Sequence, residues 1–354
     1  MKNIHTNLNH MKKTILVMAV FAMLASCKKK SDEGITPPDR KEQLSPDIKL
    51  VVTGATEESK PLYKRPETYN FLGFGYDVTD KFDDEASVRA SVVDVLAYAA
   101  SGSDLVSISR GTEIAWRTIE AQNAAHLSQQ FSWTYKETKD LRLFGNTIEK
   151  IFPGTVATDK KYVYGYYSNY MVWKRYEFYP EQTVNKFLTT GFRNDITLLS
   201  AEALIHKYGT HVLAGIKMGS KFDVIYQAEA PAGNRGYVVM EGLRYAIKRT
   251  FGLMTGAMDD VNLENLNANS KAQIYYSSIG GDVSKLKTET INNRLMLNIT
   301  DWRSTNTEEN ARFIGVFRDR LVPLNTFIDE PLKKAEVKSY IEKYLAAKAV
   351  KLTN

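Results

Sequence analysis

The stretch Ser200–Ser220, SAEALIHKYGTHVLAGIKMGS, changes its hydrophobic period partway along. Up to Tyr208 the apolar residues recur at helical spacing; from Val212 they recur at every second position, the spacing of a strand. Ser200 is placed to cap the helix start, Leu199 and Leu204 to close a hydrophobic staple, and Gly209 to supply a left-handed C-cap. Beyond the turn, Val212, Ala214, Ile216 and Met218 are expected on one sheet face, with Leu213, Gly215, Lys217 and Gly219 on the other.

The rest of the chain reads as α+β around this switch. YNFLGFGYDVTD (69–80), punctuated by Gly73 and Gly75 before Tyr76, suits an early strand with close backbone approach. Residues 84–100 and 110–129 mix helix formers with strand-like pieces and show no clean period. KYVYGYYSNYMVWKRYEFY (161–179) is rich in strand formers and predicts a long strand. FDVIYQAEA (222–230) continues the strand after Gly219, and KAQIYYSSIGGD (271–282) is another, ending in Gly280 and Gly281. Pro331 opens a C-terminal helix, with Val337, Ile341, Tyr344, Leu345 and Lys348 at helical spacing.

Two long insertions interrupt the strands, at about 131–160 and 230–270. In the second, Val239, Leu243, Ala246, Ile247, Thr250 and Met254 form a helical stripe. Leu243, Tyr245 and Ile247 also alternate with Arg244, Ala246 and Lys248, so both periods fit. An amphipathic helix packed on the sheet is the plainer reading. A segment that buries one face as a helix and later presents an alternating face as a hairpin is what a soluble pore-former needs.

The start of the chain sets the compartment. Lys12 and Lys13, the apolar run TILVMAVFAMLA and the closing LASC read as a signal peptide over residues 1–26, too short for a spanning helix. Cys27, the only cysteine, resembles the residue acylated after a bacterial lipobox. Loss of Lys2, Lys12 and Lys13 with that peptide lowers the formal charge from +6 to +3, which gives no support for a nucleic-acid partner. An acylated Cys27 leaves no thiol for disulfides, metals or nucleophilic catalysis. Residues 27–66, rich in Pro, Ser and charge, read as a flexible tether. Their SDEG resembles the acidic tag that sends some lipoproteins of the Bacteroides group to the outer face of the outer membrane. The expected location is therefore the outer membrane, at the cell surface or released from it. Residues 67–350 carry no internal repeat and read as one domain.

The sequence YGTH at 208–211 resembles the signature of the membrane attack complex/perforin (MACPF) family, as found in MACPF lipoproteins of the Bacteroides group. LGFGYDVT, LLSAEALIHKYGTH, YYSSIGGD and the closing LVPLNTFIDEPLKKAEVKSYIEKYL fall in the family's order, so the resemblance covers about 72–345. Two departures stand out: Val212 where the family has an aromatic, and Gly219–Ser220 where it has a glycine pair. The resemblance implies a bent central four-stranded antiparallel sheet flanked by two helical clusters that become membrane hairpins after ring assembly. It implies Tyr208, Gly209, Thr210 and His211 as the signature corner, Gly73, Gly75 and Tyr76 as the N-terminal motif, and Gly219, Gly280 and Gly281 as hinge glycines. The implied partners are a target membrane and further copies of the chain, with an outer-membrane protein or lipopolysaccharide as receptor.

Enzymatic readings find no residues to rest on. His206 and His211 lie five positions apart, off a shared helical face, and no HExxH or second cysteine accompanies them as zinc ligands. His126 has no triad partners, and no nucleophile elbow or phosphate loop occurs. No cofactor and no catalysis are expected. The leading expectation is an antibacterial pore-former, and the alternative is a non-lytic surface lipoprotein that uses its aromatic strand for adhesion or glycan binding.

Overall fold

The computed structural model describes residues 51–353 except 55–60, 103, 153, 180, 252–261, 292–293 and 318. These fall within one compact unit, Leu44–Asn354. The signal peptide and Cys27 lie outside the described residues.

Along the chain, β1 (Val51–Gly54), β2 (Phe74–Tyr76) and β3 (Val88–Ser91) come first. The long β4 (Val106–Ala121) and β5 (Tyr162–Phe178) are joined through α1 (Ala124–Ser132) and α2 (Asn146–Glu149). Helix α3 (Ala201–Tyr208) leads into β6 (His211–Leu213) and β7 (Gly215–Glu229), and α4 (Arg235–Phe251) and α5 (Leu263–Asn267) lie between β7 and β8 (Ser270–Ile279). A hairpin of β9 (Lys287–Ile291) and β10 (Arg294–Asn298), then β11 (Arg312–Val316), β12 (Leu321–Pro323) and α6 (Pro331–Lys348), complete the unit.

The main sheet has the order β1-β8-β7-β5-β4, with β11 also paired to β7. Its centre is the expected antiparallel set β4, β5, β7 and β8; β1 and β11 are additions the sequence did not signal. A smaller sheet, β12-β6-β2-β3, stands beside it. The bend of the main sheet has a local cause. Register shifts occur in β4–β5 between Arg110 and Glu113, in β5–β7 between Val172 and Lys174, and in β11–β7 between Phe313 and Gly315. Glu113 pairs with Val172, Val172 with Gly219 and Gly219 with Arg312, so the bulges line up across four strands and kink them together.

Both faces of the sheet are covered. One face carries Ile119, Tyr166 and Ile225 into the larger core, where Phe131 of α1 packs edge-on to Tyr166 and stacks on Phe82. The other carries Val163, Tyr167, Phe222 and Val224 against Val239, Leu243, Ala246 and Ile247 of α4. Each of those large side chains contributes about 1.5–3 kcal/mol by leaving water. The two insertions are thus docked on opposite faces.

Several expectations change. The strand expected to run unbroken from Val212 is split at Ala214, because β6 pairs with β2 and β12 whereas β7 pairs with β5, β8 and β11. The expected shared face of Val212, Ala214, Ile216 and Met218 is therefore divided between two sheets. The first insertion begins well before 131: β4 ends at Ala121 and α1 starts at Ala124, which also resolves the mixed stretch 110–129 as strand followed by helix. The second, 230–270, matches the gap between β7 and β8, and of its two periods the helical one is used in α4. Within the stretch read as a tether, Val51–Gly54 form β1, since a β-branched run beside an open sheet edge gains hydrogen bonds by pairing.

Candidate functional site: the signature corner and the docked segments

Ser200 caps α3 as expected, its side chain accepting from the Ala203 amide, and Gly209 ends the helix at φ +74°. The chain then meets the N-terminal motif from more than a hundred residues away. Tyr76 pairs with His211 and Gly75 with Val212. The Thr210 amide donates to the Tyr76 carbonyl at 3.1 Å, and the Thr210 hydroxyl accepts from the Val78 amide at 3.3 Å. The backbones approach so closely that a Cβ on Gly75 would lie 1.7 Å from the Tyr208 carbonyl oxygen. Gly73 turns the chain at φ +76°. The Tyr76 hydroxyl donates to the Lys81 carbonyl, and the Tyr208 hydroxyl donates to Asp195 at 2.7 Å.

His211 is buried, with Nδ1 2.9 Å from the Thr210 hydroxyl, and burial lowers its pKa to about 3. It is a neutral hydrogen-bonding strut. His206 is exposed on α3. Among the described residues no group of three His, Cys, Asp or Glu side chains is placed to hold a metal.

The three glycines expected as hinges lie together at a second corner. Gly219 is extended, and a Cβ there would lie 1.9 Å from the Met171 carbonyl oxygen. Gly280 and Gly281 turn at φ +72° and +69°, with the Gly280 carbonyl accepting from the Trp302 indole at 3.0 Å. Ser220, in place of a second glycine, is buried and its hydroxyl has no hydrogen-bond partner among the described residues. The aromatic strand is no open stacking platform: Tyr164, Tyr166 and Tyr167 are buried.

Polar contacts hold the docked segments. Tyr135, just after α1, donates its hydroxyl to the Asp83 carboxylate, which also accepts from the Val316 amide at 3.2 Å. Burial and the neighbouring Asp83 raise the Tyr135 pKa, so the phenol stays protonated. Under the same face, buried Lys221 pairs with Asp223 at 2.8 Å, and Asp223 accepts from Tyr166 and Ser168. Burial alone would lower the Lys221 pKa, but the carboxylates of Asp223, Asp83 and Asp84 outweigh it and raise it.

Arg235 ties the roots of both segments together. Its Nε donates to the Gln122 carbonyl at 2.9 Å, Nη1 to Ala230 and Pro231 at 2.8 and 3.1 Å, and Nη2 to Lys160 and Tyr162 at 2.8 and 2.7 Å. All five guanidinium hydrogens are used on backbone carbonyls that flank the two insertions. Neither Arg235 nor the Asp83–Tyr135 contact was singled out from the sequence. The one available signal for Arg235 was its place at the start of a helix, where a basic residue opposes the helix dipole.

The sequence profile of the MAC/Perforin domain matches residues 167–352, just over half of the 354 residues. In fold, the chain is similar to a MAC/Perforin-domain protein from Bacteroides thetaiotaomicron VPI-5482, with TM-score 0.62 and 16% identity, over 82% of this chain and 64% of that one. It is also similar to GNIP1Aa from Chromobacterium piscinae, with TM-score 0.59 and 12% identity, over 80% of this chain and 57% of that one. The chain thus spans less than two thirds of the length of either structure. No curated protein matches it.

Proposed function

The chain belongs to the MAC/Perforin domain family, and from that membership we propose that it is a pore-forming protein: copies assemble on a target envelope and extend their two docked segments as β-hairpins. We further propose that Cys27 carries the acyl anchor, that the protein resides at or is released from the outer membrane, and that its targets are competing bacteria.

One observation carries the reading. When β4 is continued past Ala121, the alternation of the sheet runs on into α1. Ala125, Leu127, Gln129, Phe131, Trp133 and Tyr135 follow Ile119 and Ala121, while His126, Ser128, Gln130, Ser132 and Thr134 fall on the other side. When β7 is continued, Tyr237, Val239, Glu241, Leu243, Tyr245 and Ile247 follow Ile225, and Val238, Met240, Gly242, Arg244, Ala246 and Lys248 fall opposite. In both cases the apolar row continues the same sheet face. A lipid-facing surface must be shared by neighbouring hairpins, so this agreement in parity is what a barrel wall requires. Ala125–Tyr135 and Tyr237–Ile247 each have the roughly 9–11 residues that a strand needs to cross the apolar layer. The charged stretch 136–142, which suits no lipid-facing strand, then falls at the hairpin tip beyond the bilayer.

The test uses single-cysteine variants labelled with a polarity-sensitive dye at Trp133, Thr134, Tyr237 and Arg244, mixed with vesicles of phosphatidylethanolamine, phosphatidylglycerol and lipopolysaccharide. Trp133 and Tyr237 are 54% and 63% exposed in the folded protein, so labelling them disturbs no core. The expected result is release of vesicle contents with the Trp133 and Tyr237 probes entering an apolar environment and the Thr134 and Arg244 probes staying in water. Binding without release, with all four probes aqueous, would instead favour the non-lytic surface lipoprotein.

A further inference from the structure

A cavity of ≈ 620 Å³ opens where the first docked segment meets the signature corner. That lies within the ~300–1,000 Å³ of small-molecule sites. Hydrogen bonds fix its floor. Arg89 Nη2 lies 3.0 Å from the Asp80 carboxylate and 3.4 Å from that of Asp77, and the Tyr344 hydroxyl donates to Asp77 at 3.2 Å. Thr79 gives Asp77 two further bonds, from its amide and its hydroxyl, which fill the four acceptor places of that carboxylate. Asp80 accepts from the Asn146 amide at 3.0 Å. Among the described residues, Asp80 thereby uses two of its four places, and the Asn146 side-chain carbonyl uses none.

The walls select the class of ligand. The carboxylates of Asp77, Asp80 and Glu149 stand with the cations Arg89 and Lys348 and with His206. So close to charge balance, neither a phosphate nor a polyamine gains a net attraction. A sugar hydroxyl both donates and accepts, which suits this mixed set. Tyr63 and Tyr344 add an aromatic wall against which the C–H face of a sugar ring can pack. The walls also belong to different parts of the chain: Gly145, Asn146 and Glu149 lie in segment 122–161, and the other lining residues lie outside it.

We propose that this cavity is a saccharide site, that a neutral mono- or disaccharide bridges Asp80 and Arg89 on one wall to Asn146 on the other, and that the occupied site holds the first segment docked. The holding action rests on the pore-forming reading. A ligand that needs both walls binds the docked form alone, so it lowers the population free to extend by the factor 1 + [L]/Kd. It acts as a brake, opposite in sign to a receptor on the target envelope.

The experiment uses the full-length chain carrying Cys27→Ser. Glucose, galactose, mannose, N-acetylglucosamine and lactose are each added at about 20 mM, enough to fill a millimolar site, with inorganic phosphate and spermidine as charged comparisons. The lipid-free core oligosaccharide of the vesicles' lipopolysaccharide is run beside them, and tighter protection by it than by the free sugars places the ligand's source in an envelope. Hydrogen exchange over 77–89 and 142–150 should slow roughly tenfold when a sugar stands at ten times its Kd. Release from the same lipopolysaccharide-containing vesicles should be delayed by a similar factor. Asp80→Ala should remove both effects. Should that variant fail to fold, Glu149→Trp, at an exposed position on the rim, fills the mouth instead. The saccharide site is overturned if no sugar slows exchange in these segments, if phosphate or spermidine does so in place of the sugars, or if the protection survives both substitutions. A sugar that protects the segments yet leaves release at its unliganded rate overturns the brake. If protection is seen but the parent chain releases nothing with or without sugar, the pore-forming reading fails and the brake with it, while the saccharide site stands.

Discussion

At the residue scale the corner built from Gly75, Tyr76, Gly209, Thr210 and His211 shows how few atoms set the junction between the two sheets. Gly209 has the positive φ expected of it, and the sequence located that turn because a helix must end somewhere and glycine ends it at least cost. The role of Gly75 was legible only as a hint of close approach; what approaches it is the Tyr208 carbonyl, a partner that sequence distance conceals. His211 makes a pH prediction. Its folded pKa of about 3 lies below the value near 6.5 of an unfolded histidine, so between those limits the unfolded chain binds the extra proton. Stability from this group is therefore full above about pH 6.5 and is lost as pH falls towards 3. Between pH 7.5 and pH 5 the loss should be about 2 kcal/mol. Urea unfolding of the wild type and His211→Gln at both pH values checks this. The variant should lack that share of the pH dependence, even where its stability at neutral pH is lower.

At the scale of elements, two insertions that look alike in length are held differently. Segment 122–161 is fixed to one face by Phe131, Phe82 and the Tyr135–Asp83 contact; α4 is fixed to the other by Val239, Leu243 and Ile247. Arg235 joins their roots. We expect Leu243→Ala to lower hydrogen-exchange protection in 235–251 by about 2–5 kcal/mol, and to leave 124–135 unchanged, because the cavity it opens belongs to one face only. Arg235→Ala should loosen both segments together, since it frees carbonyls at Gln122, Lys160, Tyr162, Ala230 and Pro231. Exchange measured by mass spectrometry over the two peptides separates the two outcomes. The helical and alternating periods of α4 were both readable in advance. Choosing between them required the opposing sheet face, because a helix is selected by what its stripe can bury and not by its own propensity.

At the scale of the whole molecule the proposed anchor and the sheet meet in the N-terminal segment, where Cys27 precedes β1. If Cys27 is acylated, the native protein should partition into the detergent phase of a Triton X-114 separation and Cys27→Ser into the aqueous phase; equal partitioning of the two would remove the anchor. The sequence by itself determined the long strand at 161–179, the strands on either side of the second insertion and the span of that insertion, the helix ends at Ser200 and Gly209, and the family resemblance. These are set by local period, capping chemistry and turn residues, which act over a few positions. Only the tertiary structure decided that the strand after Gly209 divides between two sheets at Ala214, that bulges align to bend the main sheet, and that Arg235 binds both roots. It alone decided that Val51–Gly54 close an edge. The reason is physical: each of those features is a pairing between backbone groups far apart in the chain. A residue's own neighbours do not specify which distant carbonyl or strand edge will be within hydrogen-bonding reach.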